Sequence, residues 1–79
     1  MRYVKLKSSV VESVGYDPLE KVMEVKFRSG GTYRYVDVPG TVYAGMMNAD
    51  SHGSFVHRTL RKYDGEKLEE ARDAVQEEG

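Results

Sequence analysis

The stretch VMEVKFRSGGTYRYVDVP, residues 22–39, decides the fold of this chain. Its first part alternates, with Met23, Val25 and Phe27 separated by charged residues, and this period of two predicts a strand over residues 22–28. Gly30-Gly31 is a hairpin signal, because glycine adopts positive φ without steric cost. A further strand over residues 32–38 then ends at Pro39, which suits the first turn of a helix.

Before this hairpin, residues 7–15 also have a β-like pattern, with valine on both faces. Tyr16-Asp17-Pro18 follows and forces a turn, because the residue before proline is pushed out of the α region. The three strands are consecutive and joined by short connections. We therefore predict a three-stranded antiparallel β-meander.

After Pro39, apolar residues recur along one stripe and predict a helix that runs to about Ala49. Asp50 or Ser51 can cap a second helix. Its inward-facing residues are expected to be Phe55, Val56, Leu60 and Tyr63. Asp64-Gly65 is a plausible stop, so two packed helices complete an α+β domain.

The chain has 79 residues and no cysteine, so it is one small domain without disulfides. Its formal charge of −1 is a sum over two unlike parts. Residues 1–63 carry ten Lys/Arg and six Asp/Glu, whereas residues 64–79 carry two and seven. We expect a basic domain over residues 1–63 and an acidic carboxy-terminal tail over residues 64–79, either a marginal helix or disordered.

The position of Tyr33 and Tyr35 depends on the register of the hairpin, because a shift of one residue exchanges the two faces of a strand. A two-residue turn puts both tyrosines beside Glu24, Lys26 and Arg28, on an exposed aromatic and basic platform. A three-residue loop with a glycine bulge instead puts them beside Met23, Val25 and Phe27. The second register separates apolar from charged side chains better and is the one we favour.

Several short motifs resemble the KTSC domain family, which is named after the carboxy-terminal extension of some lysyl-tRNA synthetases and also occurs as small bacterial or phage proteins. The motifs are Phe27 to Tyr35 with its Tyr-x-Tyr pair, Val38-Pro39, Val42-Tyr43, Ala49 to Gly53, and Phe55. The resemblance covers residues 8–63. Where the family often has Asn after the last aromatic, this chain has Val56. The resemblance implies an unassigned function, for which RNA binding is the usual suggestion.

No residue pattern indicates an enzyme. His52 and His57 are five apart, about 140° around a helix, and no cysteine supplements them, so we expect no metal and no cofactor. No serine lies in the context of an activated nucleophile. Ser51, Gly53 and Ser54 could bind an anion at a helix amino terminus, but capping alone also explains them.

We expect a small binding module that contacts RNA, either tRNA or a single strand. Its candidate nucleic-acid-binding residues are Lys26, Arg28, Tyr33, Arg34, Tyr35, Arg58, Arg61 and Lys62. The tyrosines would stack on bases only if the hairpin has the two-residue turn. The alternative is a protein-protein interaction module that uses a sheet edge or the Met46-Met47 helix. The longest apolar run, Val42 to Met47, is six residues, so we expect no membrane span and a cytoplasmic location.

Overall fold

A five-stranded antiparallel sheet forms the body of the protein. The computed structural model describes residues 1–68, and its strands follow chain order across the sheet. They are Tyr3–Lys5 (β1), Val11–Asp17 (β2), Val22–Phe27 (β3), Thr32–Tyr35 (β4) and Gly65–Leu68 (β5). Between β4 and β5 the chain forms helix α1, Gly40–Met47, helix α2, His52–Arg58, and a short 3₁₀ helix, Leu60–Lys62. The α+β class with an antiparallel sheet and two helices is confirmed.

The predicted count of three strands is wrong, because β1 and β5 extend the meander on both sides. The predicted first strand begins at Val11 instead of Lys7, since the Ser8 hydroxyl accepts hydrogen bonds from the amides of Val10 and Val11, at 3.1 and 3.0 Å. This local turn separates β1 from β2. The two strands then pair antiparallel, with Tyr3 opposite Gly15.

Strand β5 lies in a segment that the sequence assigns to the acidic tail. It pairs with β4, and Gly65 lies opposite Tyr35. A Cβ atom at position 65 would lie 2.6 Å from Cε1 of the Tyr35 ring, so the absence of a side chain lets the ring lie across β5. The sequence predicts that Gly65 ends a helix, whereas in the structure the nearby Tyr35 ring requires glycine at this position. Residues 69–79 of the predicted tail lie outside the described residues.

The core lies between one face of the sheet, which we call the core face, and the helices. Its fully or nearly fully buried apolar residues are Val11, Val14, Met23, Val25, Tyr35, Val38, Met46 and Leu60. Phe55, Val56 and Tyr63 pack against this cluster, which confirms the predicted inward side of the second helix. That helix is shorter than expected, because α2 ends at Arg58 and the chain continues as the 3₁₀ helix.

Tyr16 ties the sheet to the start of α1. Its ring stacks on that of Tyr43 with centroids 4.9 Å apart, and its hydroxyl donates to the Val38 carbonyl at 2.5 Å. Such stacked pairs contribute about 0.5–1.5 kcal/mol beyond their buried area. This contact fixes the helical layer over the core face.

Candidate nucleic-acid interface

The β3–β4 hairpin has the favoured register, so the tyrosine pair lies on the core face. Tyr35 is opposite Met23 and Tyr33 is opposite Val25. The loop is three residues long, and Gly30 and Gly31 have φ of 108° and 91°, values that favour glycine. The condition for base stacking on the tyrosines, a two-residue turn, is therefore not met.

The two tyrosine rings differ in burial, but both pack within the protein. Tyr35 is only 8% exposed, and burial, with a smaller contribution from Tyr33, raises the pKa of its hydroxyl. Tyr33 is half-buried and packs edge-on against Phe27, with ring centroids 5.7 Å apart. Both therefore act first as structural residues of the core face.

Arg34, expected to contact phosphates, forms an ion pair with Glu24, although its own side chain is 46% exposed. On the outer face of the sheet, opposite the core face, its Nε and Nη2 donate to Oε2 of the buried Glu24 at 3.0 and 2.8 Å. The Tyr3 hydroxyl donates to the other carboxylate oxygen. Burial and this hydrogen bond raise the pKa of Tyr3 to about 12, and Glu24 raises the pKa of Arg34. This pairing with Glu24 offsets the positive charge of Arg34, which was predicted to contact RNA phosphates.

Other basic residues meet at one end of the sheet, which we call the basic end. It is formed by the β1–β2 loop, the β3–β4 hairpin, the last residues of β5 and helix α2. Here the Arg28 amide donates to the Val10 carbonyl at 2.9 Å, and the Arg28 side chain donates to the carbonyls of Leu6 and Ser8. Arg28 thus joins the hairpin to the β1–β2 loop.

Three shallow clefts surround the basic end. One, of about 430 Å³, lies around the hairpin and is lined by Lys26, Arg28 and Lys67 together with Glu12. A second, of about 200 Å³, includes Lys7, Ser8 and Asp50. A third, of about 350 Å³, lies between the β1–β2 loop and α2 and is lined by Val10, Ser51, Gly53, Ser54, His57 and Arg58. Together these clefts bring five cations and two acids to one end.

The opposite end of the sheet has the reverse charge. Its β2–β3 turn carries Asp17, Glu20 and Lys21, and the segment after β4 carries Asp37. Asp64 is close by, because its carbonyl accepts from the Val36 amide at 3.2 Å. These four acids lie with Lys21 and with Arg2, which precedes β1 at the same end. Within residues 1–68 this end is therefore the more acidic of the two, and a polyanion would be attracted to the basic end.

The predicted anion site at the start of α2 has the structure expected of a helix cap. The Ser51 hydroxyl oxygen accepts from the Ser54 amide at 3.2 Å. Gly53 packs closely on the β1–β2 loop, since a Cβ there would lie 3.1 Å from Val10. These residues come together with His57 and Arg58 in the third cleft. Their capping role is visible, and anion binding stays a prediction.

Arg61 and Lys62 are exposed on the 3₁₀ helix and are not among the residues that line the clefts of the basic end. Lys62 is followed two residues later by Asp64, at the acidic end. The structure therefore does not place this pair in the clefts with Lys26, Arg28 and Arg58. Conversely, Lys7 and Lys67 were not among the binding residues predicted from the sequence. The sequence shows only that they are basic, and their positions in the β1–β2 loop and near the end of β5 come from the fold.

Within residues 1–68, no three His, Cys, Asp or Glu side chains lie close enough to hold a metal ion. His52 instead makes a local contact, with Nδ1 2.9 Å from the Met46 carbonyl oxygen. None of the helices in this part of the chain is long and apolar enough to cross a bilayer.

Comparison with known proteins finds a matching family, similar sequences and a similar solved structure. The KTSC domain model matches residues 7–63. A crystal structure of a KTSC domain protein from Yersinia pestis has a TM-score of 0.83 and 33% identity, covering 86% of this chain and 97% of that one. An uncharacterised protein of Stutzerimonas stutzeri is 41% identical over 61 residues, or 77% of this chain and 86% of its own length.

A third relative is a much longer protein. A lysine–tRNA ligase of a Nostoc species is 31% identical over 58 residues, which are 73% of this chain but only 10% of the ligase. The family model covers well over half of the chain, and the solved KTSC domain protein shares its fold. The chain therefore belongs to the KTSC domain family.

Proposed function

We propose that this protein is a non-enzymatic, weak RNA-binding module that contacts phosphates through the basic end of its sheet. The observation that carries the proposal is the convergence there of Lys7, Lys26, Arg28, Arg58 and Lys67, with two acids, Glu12 and Asp50, among the described residues that line the same clefts. These cations come from four separate segments of the chain. Like charges repel unless an anion lies between them, so their collection at one end favours a polyanionic ligand.

The number of available cations sets the expected affinity for RNA and its dependence on salt. Four engaged phosphates give a log-affinity against log-salt slope of about −3 for a single strand. Because the tyrosine pair is on the core face, aromatic stacking adds little, and binding should be weak and strongly salt-dependent. The related ligase from Nostoc acts on tRNA by its name, which puts a homologous domain in a protein that handles RNA. A cytoplasmic location fits such a ligand.

The proposal is tested by fluorescence anisotropy with a labelled eight-nucleotide oligouridine and with tRNA, from 25 to 200 mM salt. Lys26→Gln and Lys67→Gln should each weaken binding and reduce the slope by about 0.7–1. Lys21→Gln, which removes the same charge at the acidic end, is the matched control and should bind like the wild type. Absence of salt-dependent binding, or equal losses in all three variants, contradicts the proposal.

Arg61 and Lys62 remain predicted phosphate contacts from the sequence. If the substitution Arg61→Gln weakens binding as much as Arg58→Gln, the whole helical face is the binding surface. If only Arg58→Gln does so, binding is confined to the basic end. The same titration thus decides between the two surfaces.

A protein-protein interaction module is the second candidate. The structure weakens one form of it, because Met46 is fully buried and is unavailable to a partner. The edge strand β1 favours another form, since Met1, Tyr3 and Val4 are 54%, 45% and 37% exposed. An edge strand can pair with a strand of another chain. Self-association that persists at 1 M salt in analytical ultracentrifugation would favour this candidate over RNA binding.

A further inference from the structure

The cleft between the β1–β2 loop and α2, which we call the Val10 cleft, has an apolar floor. Val10 is 48% exposed, and its backbone is fixed on both sides. Its amide donates to the Ser8 hydroxyl at 3.1 Å and its carbonyl accepts from the Arg28 amide at 2.9 Å. The exposed valine is therefore held in place beside the cations of the basic end.

Helix α2 closes this floor from the other side. Gly53 approaches so closely that a Cβ atom would lie 3.1 Å from Cβ and Cγ2 of Val10. The resulting cleft of about 350 Å³ is at the lower end of the range of small-molecule sites, about 300–1,000 Å³. One nucleotide is the size of ligand that such a cleft can take.

The polar wall of the Val10 cleft consists of side chains. Ser54, His57 and Arg58 are spaced by three and four residues, so they lie on one side of α2. Ser54 accepts a hydrogen bond from the Ser51 hydroxyl at 3.1 Å, which leaves its own hydroxyl proton available. The Ser54 amide is already bonded to Ser51, so the helix amino terminus does not supply this donor.

Arg58 supplies the charge. Its side chain is exposed and makes no hydrogen bond or ion pair with any residue in the described range 1–68. The nearest acid in the adjoining cleft, Asp50, does not line this one. The Val10 cleft therefore combines an apolar floor, the Ser54 hydroxyl and the Arg58 guanidinium. A ligand with a flat, weakly polar group and an attached anion would complement all three.

We propose that the Val10 cleft binds one nucleotide of a single-stranded RNA, with its base against Val10 and His57 and its phosphate on Arg58 and Ser54. The proposal rests on the proposed function, because the neighbouring phosphates would continue along the basic end. Beyond the proposed function, it implies that the protein binds a strand with accessible bases more tightly than a phosphate backbone without bases.

The experiment compares oligouridine with an abasic strand of the same length and charge, at one salt concentration, by anisotropy. Wild-type protein should prefer oligouridine by about fivefold, the effect of half-burying one valine. Val10→Thr keeps the shape of the side chain but makes it polar, and should remove most of this preference. Val36→Thr is the matched control, because Val36 is 39% exposed at the acidic end. Thermal melting checks that both variants fold.

Arg58→Gln should weaken both strands equally and reduce the salt slope by about one. Equal affinity of the wild type for the two strands overturns the nucleotide cleft but leaves electrostatic RNA binding intact. A preference that Val10→Thr leaves unchanged also overturns it, since the base must then bind elsewhere. If neither strand binds, the proposed function fails together with the cleft.

Discussion

Replacing Gly65 with alanine tests whether β5 packs on the sheet as described. The new Cβ would lie 2.6 and 2.9 Å from Cε1 and Cδ1 of Tyr35, against an ordinary carbon contact of about 3.5–4.0 Å. The Tyr35 ring is 8% exposed and cannot swing into solvent without leaving the core. Either the ring or the strand must move by nearly 1 Å, and overpacking of this kind costs about 1–3 kcal/mol.

Replacing glycine with alanine also has a stabilising effect, so the sign of the change in unfolding free energy is informative. Alanine restricts the unfolded chain more than glycine does, which stabilises a protein by about 0.4–1 kcal/mol where the folded state tolerates the methyl group. If Gly65 were in a loose tail, Gly65→Ala would therefore be neutral or stabilising. With β5 packed against Tyr35, the steric cost wins and the variant is less stable by as much as about 2 kcal/mol.

The assay is thermal and urea unfolding followed by far-UV circular dichroism. A loss of 1 kcal/mol lowers the melting temperature of a domain of this size by about 4–8 °C. Glu66→Ala, at the neighbouring exposed position of the same strand, is the control and should shift it by much less. An unchanged or higher melting temperature for Gly65→Ala would refute the packing of Tyr35 across β5.

Three further predictions follow from burial and charge. The raised pKa of Tyr3 means that its stabilising contribution is complete below pH 10 and is lost as the pH rises to about 12, so urea unfolding should show an alkaline loss of stability that is smaller in Tyr3→Phe than in the wild type. Met46→Ala removes a fully buried side chain and should cost about 2–5 kcal/mol in the same assay. Amide replacements throughout the acidic segment 69–79 should tighten RNA binding at low salt, because these charges compete with polyanions over a Debye length of about 8–10 Å; unchanged affinity contradicts this. The positions replaced are Glu69, Glu70, Asp73, Glu77 and Glu78.

The hairpin register could be predicted because the sequence contains its cause. Met23, Val25 and Phe27 on one strand and Tyr33 and Tyr35 on the next are all apolar or aromatic. A single covered face can bury them together only in one register, and the two glycines permit the loop that this register needs. Local pattern and long-range packing agree in this region.

The two edge strands could not be predicted, because their causes are distant in sequence. Tyr3 is 21 residues from Glu24, and only the pairing of β1 brings its hydroxyl to that carboxylate. Gly65 is a strand residue only because Tyr35 lies opposite it. The same distance explains why Arg34 was expected to bind phosphate, since its ion-pair partner Glu24 becomes a neighbour only through the β3–β4 register.

The charge separation follows from the topology itself. In an antiparallel meander, alternate connections lie at the same end of the sheet, so the β1–β2 loop and the β3–β4 hairpin share one end while the β2–β3 turn and the exit from β4 share the other. The first pair of connections is basic and the second is acidic. A formal net charge of −1 for the full chain therefore conceals, within residues 1–68, two ends that differ in charge, in addition to the contrast between residues 1–63 and 64–79. For a domain with so little net charge, it is this arrangement, and not the total, that determines whether a nucleic acid can approach.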